Sequence, residues 1–315
     1  MSLRSGIITL LLIVTAIVCE SHPRAAASLS GDVLRHGDKA AITADSIIKD
    51  LSPLNKDATV SFAEGRLREL TDSLAAFLEG RDSTSDPARL AQNIDAIISG
   101  SKVMDTLLLS DALYYEGIHH FQTNSYARAR DCFFTSAKYR ETLSLSDIKY
   151  AKGLTNLTAT LLRTGDFNAG YREGMKALEI RRAVSGEDSS GLAGNYLNLA
   201  SICLELYDTD RASSFAEAGL GISRIFPDKV TPKLRADLLH VIGLSLYRRQ
   251  EYSKSLVYCR EALRIYETDP ENSVDSRILL YNTIAQVSRR MDQPHEAEGY
   301  FLKGLAIKDG PKTQD

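Results

Sequence analysis

Histidine side chains are the residues of this chain most suited to metal binding or acid–base chemistry. His119 and His120 are adjacent, and neighbouring side chains on a helix point about 100° apart, so the two imidazoles cannot hold one metal ion from the same face. The other histidines are isolated along the sequence; they are His22, His36, His240 and His295. We therefore predict no metal site, and we expect each histidine to be a surface or groove residue.

Short catalytic motifs are also absent from the sequence. It contains no HExxH zinc motif, CxxC pair, phosphate-binding glycine loop or serine nucleophile elbow. Cys132, Cys203 and Cys259 lie inside helical patterns, at positions that small apolar residues otherwise occupy, so we expect them to be buried and reduced. The sequence predicts a non-enzymatic protein with no catalytic residues and no cofactor.

The overall charge argues against a nucleic-acid partner. The 315 residues include 38 Lys+Arg and 41 Asp+Glu, which gives a formal net charge of -3. A nucleic-acid-binding domain usually carries a basic excess, clustered on one face. We therefore expect no nucleic-acid partner.

The helical pattern of the chain is clearest in residues 192–220. Apolar residues recur there at three- and four-residue steps, as on one face of a helix, in two halves joined by a short turn. They are Tyr196, Leu199, Cys203 and Leu206 in the first half and Ala212, Ala216, Gly219 and Leu220 in the second. One helical hairpin cannot bury such a stripe alone, but stacked copies would bury a continuous core.

The same two-helix pattern recurs five times at a spacing of about 42 residues. The copies begin at Ser110, Ala151, Ala193, Ala236 and Ile278. Every patterned segment has a period near 3.6 residues, and none alternates as a strand would. The sequence therefore predicts an all-α fold.

The second and fourth copies carry the fullest set of recurring residues. These are Leu154, Leu157, Leu161, 165–167 and 177–178 in the second copy, and Leu239, Ile242, Gly243, Leu246, Tyr252 and 262–263 in the fourth. In these residues the copies resemble tetratricopeptide repeats. The length of about 42 residues, against about 34 in the usual repeat, resembles the kinesin-light-chain-like subgroup. The resemblance implies a right-handed superhelical array of helix-turn-helix repeats.

In tetratricopeptide arrays the first helix of each pair lines a concave groove. The resemblance therefore implies a partner-binding groove that contains Tyr115, Phe121, Lys152, Asn156, Arg163, Asn198, Tyr247, Arg248, Asn282, Arg289 and Arg290. Its five basic residues outnumber Asp111, Glu205 and Asp237, which favours an acidic or apolar-acidic peptide or protein. The amides of Asn156 and Asn198 can donate to and accept from a peptide backbone. The alternative is that these residues only form solvated helix faces.

The first 27 residues have the layout of a secretory signal peptide. Arg4 precedes an apolar run at 6–19, and small residues follow up to Ala27, where we expect cleavage. An uncleaved helix is the alternative, although the run is shorter than the roughly 20 residues that span a bilayer. Cys19 resembles a bacterial lipoprotein cysteine, so a lipid anchor is a second alternative, although Val18 departs from the small residue expected there. We predict export to the periplasm or cell envelope.

The remaining sequence divides into four segments. We expect a flexible leader at 28–39, a helical region that could include a divergent repeat at 40–105, five repeats at 110–308, and a tail at 309–315.

Together these features predict a cell-envelope scaffold that binds a protein or peptide. The alternative is a sensory or regulatory module of a membrane signalling system. We also expect the last repeat to leave an apolar face uncovered at Val287, Met291, Leu302 and Leu305. Another chain should cover this face, either a second copy of the protein, which we prefer, or a partner.

Overall fold

The structure, a computed structural model, describes residues 56–100, 105–185, 190–268 and 273–309. These residues form twelve α-helices and contain no β-strand, so the all-α prediction is confirmed. The chain divides into two units, residues 1–59 and Val60–Asp315, and the packing discussed below lies within the second. The predicted signal peptide at 1–27, with Cys19, and the leader at 28–39 lie outside the described residues.

Ten of the helices form five consecutive pairs that follow two N-terminal helices. The N-terminal helices are α1 (Lys56–Leu78) and α2 (Pro87–Gly100). The pairs are α3 (Thr106–Gln122) with α4 (Tyr126–Thr142), α5 (Ile148–Thr164) with α6 (Phe167–Ser185), α7 (Leu192–Glu205) with α8 (Thr209–Ile225), α9 (Pro232–Arg248) with α10 (Tyr252–Tyr266), and α11 (Val274–Arg290) with α12 (Pro294–Asp309). The two helices of each pair contact each other, and each second helix contacts the first helix of the next pair.

Side-chain caps define where several of these helices begin. An oxygen of the residue before the helix accepts a hydrogen bond from a backbone N–H in the first turn, which otherwise has no partner. The capping residues are Asp105 of α3, Asp147 of α5, Asp208 of α8 and Thr231 of α9. Each cap contributes about 1 kcal/mol to helix stability.

Small residues allow the two helices of a pair to approach closely. A methyl group added at Gly117 of α3 would lie 2.7 Å from the ring of Phe133 on α4. In the second pair the small residue lies on the second helix. It is Gly174 of α6, where an added methyl would lie 3.0 Å from Thr158 Cγ2 of α5. In these pairs a glycine on one helix thus faces a larger side chain on the other, which keeps the interior close-packed.

The turn between the helices of each pair contains one residue in the left-handed conformation. These residues and their φ angles are Asn124 (58°), Gly165 (80°), Tyr207 (61°), Gln250 (64°) and Asp292 (59°). A side chain in this conformation costs about 1–2 kcal/mol because Cβ approaches the following carbonyl oxygen. Only the second pair has the glycine that avoids this cost.

We expect Gln250→Gly to stabilise the protein by about 0.5–1 kcal/mol, since glycine relieves the left-handed strain but adds entropy to the unfolded chain. The Gln250 side chain is exposed, so few other contacts change. Gly165→Ala is the matched control and should cost about 1 kcal/mol, because φ at Gly165 is 80° and no atom lies within 4 Å of the added methyl. Urea unfolding midpoints measure both changes, and a lower midpoint for Gln250→Gly would contradict the prediction.

In the C-terminal pair, one residue of the predicted apolar face is buried instead of exposed. Val287 is fully buried, because it packs into the core cluster shared by the last three pairs, so its predicted exposure was wrong. Leu302 and Leu305 of α12 are 58% and 53% exposed, and Met291 is half-buried. Self-association through this face stays a prediction.

At the N-terminal end of the described helices, α1, α2 and the beginning of α3 share one apolar cluster, which includes Leu67, Leu74, Ile94, Ile97 and Leu108.

In the part of the chain that the structure describes, no helix is both long enough and apolar enough to cross a membrane.

Candidate partner-binding surface

The first helices of the five pairs form a continuous row, which we call the inner wall. Helices α3, α5, α7, α9 and α11 contact one another in this order, whereas the described parts of the second helices do not contact one another. The array is therefore narrower on the side of the first helices, which places the inner wall on its concave face.

Side chains at equivalent positions join neighbouring first helices of the inner wall. The Asn156 amide of α5 lies beside the Tyr114 hydroxyl of α3, and Asn198 Nδ2 of α7 donates to the Thr155 carbonyl oxygen of α5 at 3.3 Å. The amides predicted to bind a peptide backbone therefore contact neighbouring repeats. Substituting Asn198 would disturb the packing between repeats as well as any bound peptide.

The basic residues of the predicted groove remain available to a partner. All five side chains are exposed, and none forms an ion pair within the described ranges; they are Lys152, Arg163, Arg248, Arg289 and Arg290. These five side chains therefore give the inner wall exposed positive charge, although Lys152 interacts electrostatically with Glu79, which directly follows α1.

The nearby carboxylates compensate this charge only in part. Asp111 is paired with Arg140 and Lys149, and Asp237 is paired with Lys233. Of the three acidic residues predicted in the groove, only Glu205 is exposed. The inner wall is therefore more positive than its sequence composition suggested.

Two arginines near the C-terminal end of the inner wall are held by tyrosines. The guanidinium of Arg248 lies over the ring of Tyr207, 5.0 Å from its centroid, and donates to the Leu204 carbonyl oxygen. Tyr207 is 82% exposed. The interaction with the Tyr247 hydroxyl raises the pKa of Arg290. We call Arg248, Tyr207, Arg290 and Tyr247 the Arg–Tyr cluster, and its planar guanidinium groups match the geometry of carboxylates.

The aromatic residues predicted for the first repeat lie at the opposite end. The Tyr115 hydroxyl donates to Glu79 Oε1 at 3.2 Å, and burial, together with this carboxylate, raises the pKa of Tyr115 to about 12. Phe121 packs edge-on against Tyr126, with ring centroids 5.4 Å apart. Asn282 is half-buried on α11. The predicted residues are thus spread along the inner wall rather than gathered in one pocket.

The sequence analysis missed a second group of side chains in the first pair. Glu116, His120 and Cys132 place their donor atoms within 4.8 Å of one another. Burial raises the pKa of the Cys132 thiol, and the carboxylates of Glu116 and Asp95 raise it further. The spacing of four residues between Glu116 and His120 was a visible signal, since it places both on one helical face. The position of Cys132 depends on how α4 folds back on α3.

The comparison with known families decides the identity of the repeats. Residues 235–268, which contain most of α9 and all of α10, match the tetratricopeptide repeat. This helix pair is a tetratricopeptide repeat. This match confirms the predicted resemblance, on one of the five helix pairs.

Solved tetratricopeptide-like structures share the fold of this chain. BtubC (BKLC) from P. vanneervenii is 15% identical, with a TM-score of 0.54 over 77% of this chain and 91% of that one. A Rap protein complexed with competence and sporulation factor is 15% identical, with a TM-score of 0.56 over 97% and 78%. A putative kinesin light chain from Podosopora anserina with nearly identical TPR-like repeats is 12% identical, with a TM-score of 0.50 over 64% and 95%. These identities show the fold alone, and no curated protein sequence matches the chain.

Proposed function

We propose that this protein is a non-enzymatic scaffold that binds a protein or peptide partner along its inner wall. The observation that carries the proposal is the set of five exposed basic side chains that form no ion pair with any described residue. A related fold supports it, since the Rap structure was solved with competence and sporulation factor. The partner of the present chain is expected to differ, because fold similarity does not transfer a ligand.

The chemistry of the inner wall favours an acidic segment with interleaved apolar residues. Carboxylates would pair with the guanidinium groups of Arg163, Arg248 and Arg290, which occupy equivalent positions at the ends of α5, α9 and α11. The exposed ring of Tyr207 offers an apolar contact beside Arg248. A segment that follows the inner wall would meet these residues one repeat after another.

Fluorescence anisotropy with a labelled acidic peptide that carries interleaved leucines tests this proposal. We expect Arg163→Glu combined with Arg289→Glu to weaken binding at least about tenfold, because attraction becomes repulsion at two positions. Both side chains are exposed, so the melting temperature should change little. Higher salt should weaken binding of the wild-type protein, as expected for exposed charges.

The matched control is Arg172→Glu combined with Arg224→Glu. It changes the net charge equally, but on the second helices α6 and α8, at exposed positions. An equal loss of binding in both variants would indicate general charge attraction, and unchanged binding by the inner-wall variant would exclude that surface.

We also propose that the protein is exported to the periplasm or cell envelope. This proposal rests on the signal-peptide layout from Arg4 to Ala27. Mass spectrometry of the N-terminus from a cell-envelope preparation tests it, and a cleaved chain that begins at Ser28 is expected. A lipid-modified N-terminal Cys19 would favour the anchored alternative, and a chain that still begins at Met1 would contradict cleavage.

A further inference from the structure

Three potential metal ligands meet between α3 and α4 in the first helix pair. Glu116 and His120 lie one turn apart on α3, and Cys132 lies on α4. One donor atom from each residue lies within 4.8 Å of the other two. The cluster contains none of the exposed basic residues of the inner wall, so the proposed function does not use it.

The distance between His120 Nε2 and Glu116 Oε1 fits two ligands of one metal ion. It is 3.4 Å, which is long for a hydrogen bond between charged groups. Two ligands of a tetrahedral zinc ion at about 2.0–2.1 Å lie about 3.4 Å apart. The Cys132 sulfur lies within 4.8 Å of one donor atom on each of the other two residues.

The second carboxylate oxygen of Glu116 adds an independent observation. The Glu116 side chain is only 4% exposed, and its Oε2 atom has no hydrogen-bond partner among the described residues. A buried carboxylate oxygen without a partner is costly, and such groups usually contact a cation or a donor. The His120 side chain is 12% exposed, which leaves a narrow path from solvent to the cluster.

We propose that Glu116, His120 and Cys132 bind a zinc ion that links α3 to α4. The mixed set of carboxylate, imidazole and thiolate ligands suits zinc, whereas calcium and magnesium prefer oxygen ligands alone. The thiolate and the carboxylate together balance the two positive charges of the ion, while the imidazole remains neutral. Water would complete the fourth position. The ion would stabilise the first repeat, next to α2.

Cobalt substitution in the untagged, chelator-treated protein tests the proposal. One equivalent of Co²⁺ should produce a cobalt–thiolate absorption band and the visible bands of tetrahedral coordination, and Zn²⁺ should remove both. Zn²⁺ should also raise the melting temperature, because it binds the folded state only. Cys132→Ser should abolish the thiolate band, and His120→Gln and Glu116→Gln should each weaken Zn²⁺ binding at least about tenfold.

The neighbouring residues supply matched controls. His119→Gln and Cys203→Ala should keep the wild-type spectrum and Zn²⁺ affinity, because neither residue belongs to the cluster. Circular dichroism shows whether each variant is folded, and the conservative Glu116→Gln change keeps the test valid if Cys132→Ser unfolds. A cobalt spectrum without a thiolate band, a band that persists in Cys132→Ser, or the absence of any one-to-one complex would overturn the proposal.

Discussion

Phe133→Ala is expected to destabilise the protein by about 3–5 kcal/mol. Phe133 is fully buried on α4, its ring covers Gly117 of α3, and it packs edge-on against Tyr114 at a centroid distance of 6.2 Å. Removing the ring leaves a cavity that the helix backbones cannot close, because their separation is set by the neighbouring contacts. Urea unfolding followed by circular dichroism measures the loss, and a change below about 1 kcal/mol would show that this contact is loosely packed.

A second substitution at Gly117 provides the control for this contact. Gly117→Ala alone places a methyl group 2.7 Å from the Phe133 ring and should cost about 1–3 kcal/mol by overpacking. The double variant places alanine on both helices, as in the third pair, where Ala200 and Ala216 are fully buried at the equivalent positions. We expect it to be less destabilised than the sum of the single variants. Strict additivity would contradict the account of compensating volumes.

The second large effect is a loss of stability at acidic pH that depends on His240. Burial lowers the pKa of His240 from 6.5 to about 4, although the Asp237 carboxylate opposes the shift. Its ring nitrogen Nε2 lies 3.0 Å from Thr283 Oγ1, at the contact between α9 and α11. The folded state therefore favours the neutral imidazole.

Since the unfolded chain takes up this proton near pH 6.5 and the folded chain only near pH 4, the stability contributed by neutral His240 is complete above pH 6.5. It falls between pH 6.5 and 4 and is constant below that range. The ring retains partial exposure, so water offsets part of the shift, and we expect a loss of about 2 kcal/mol.

His240→Gln tests this assignment, because glutamine keeps an amide that reaches Thr283 but cannot be protonated. The variant should lose less stability than wild type between pH 6.5 and 4, while His295→Gln, at an exposed position, should behave like wild type. The lowered pKa of buried His119 reduces stability at acidic pH equally in every variant. The difference between the stability–pH curves of wild type and His240→Gln therefore reports His240 alone. Parallel curves for wild type and His240→Gln would show that His240 does not carry the effect.

Local sequence patterns were sufficient for the helices because their information lies within a few residues. Apolar steps of three and four residues set the buried face of each helix, and the recurrence at about 42 residues indicated the array. The buried positions of Leu154, Leu199 and Leu239 follow from those steps. The exposure of Arg163 and Arg289 agrees with their place between the core positions.

The sequence by itself thus determined the helical repeats and the row of basic residues, whereas the tertiary structure decided which side chains have partners. Asn198 has the sequence context of a groove residue, but the spacing between α5 and α7 places its amide on the Thr155 carbonyl. Cys132 meets Glu116 and His120 only because α4 folds back on α3. Such contacts depend on the separation and rotation of two packed helices, and side-chain volumes from both helices set these quantities together. A periodic pattern identifies the face of one helix, but it contains no information on the residue that the facing helix brings opposite.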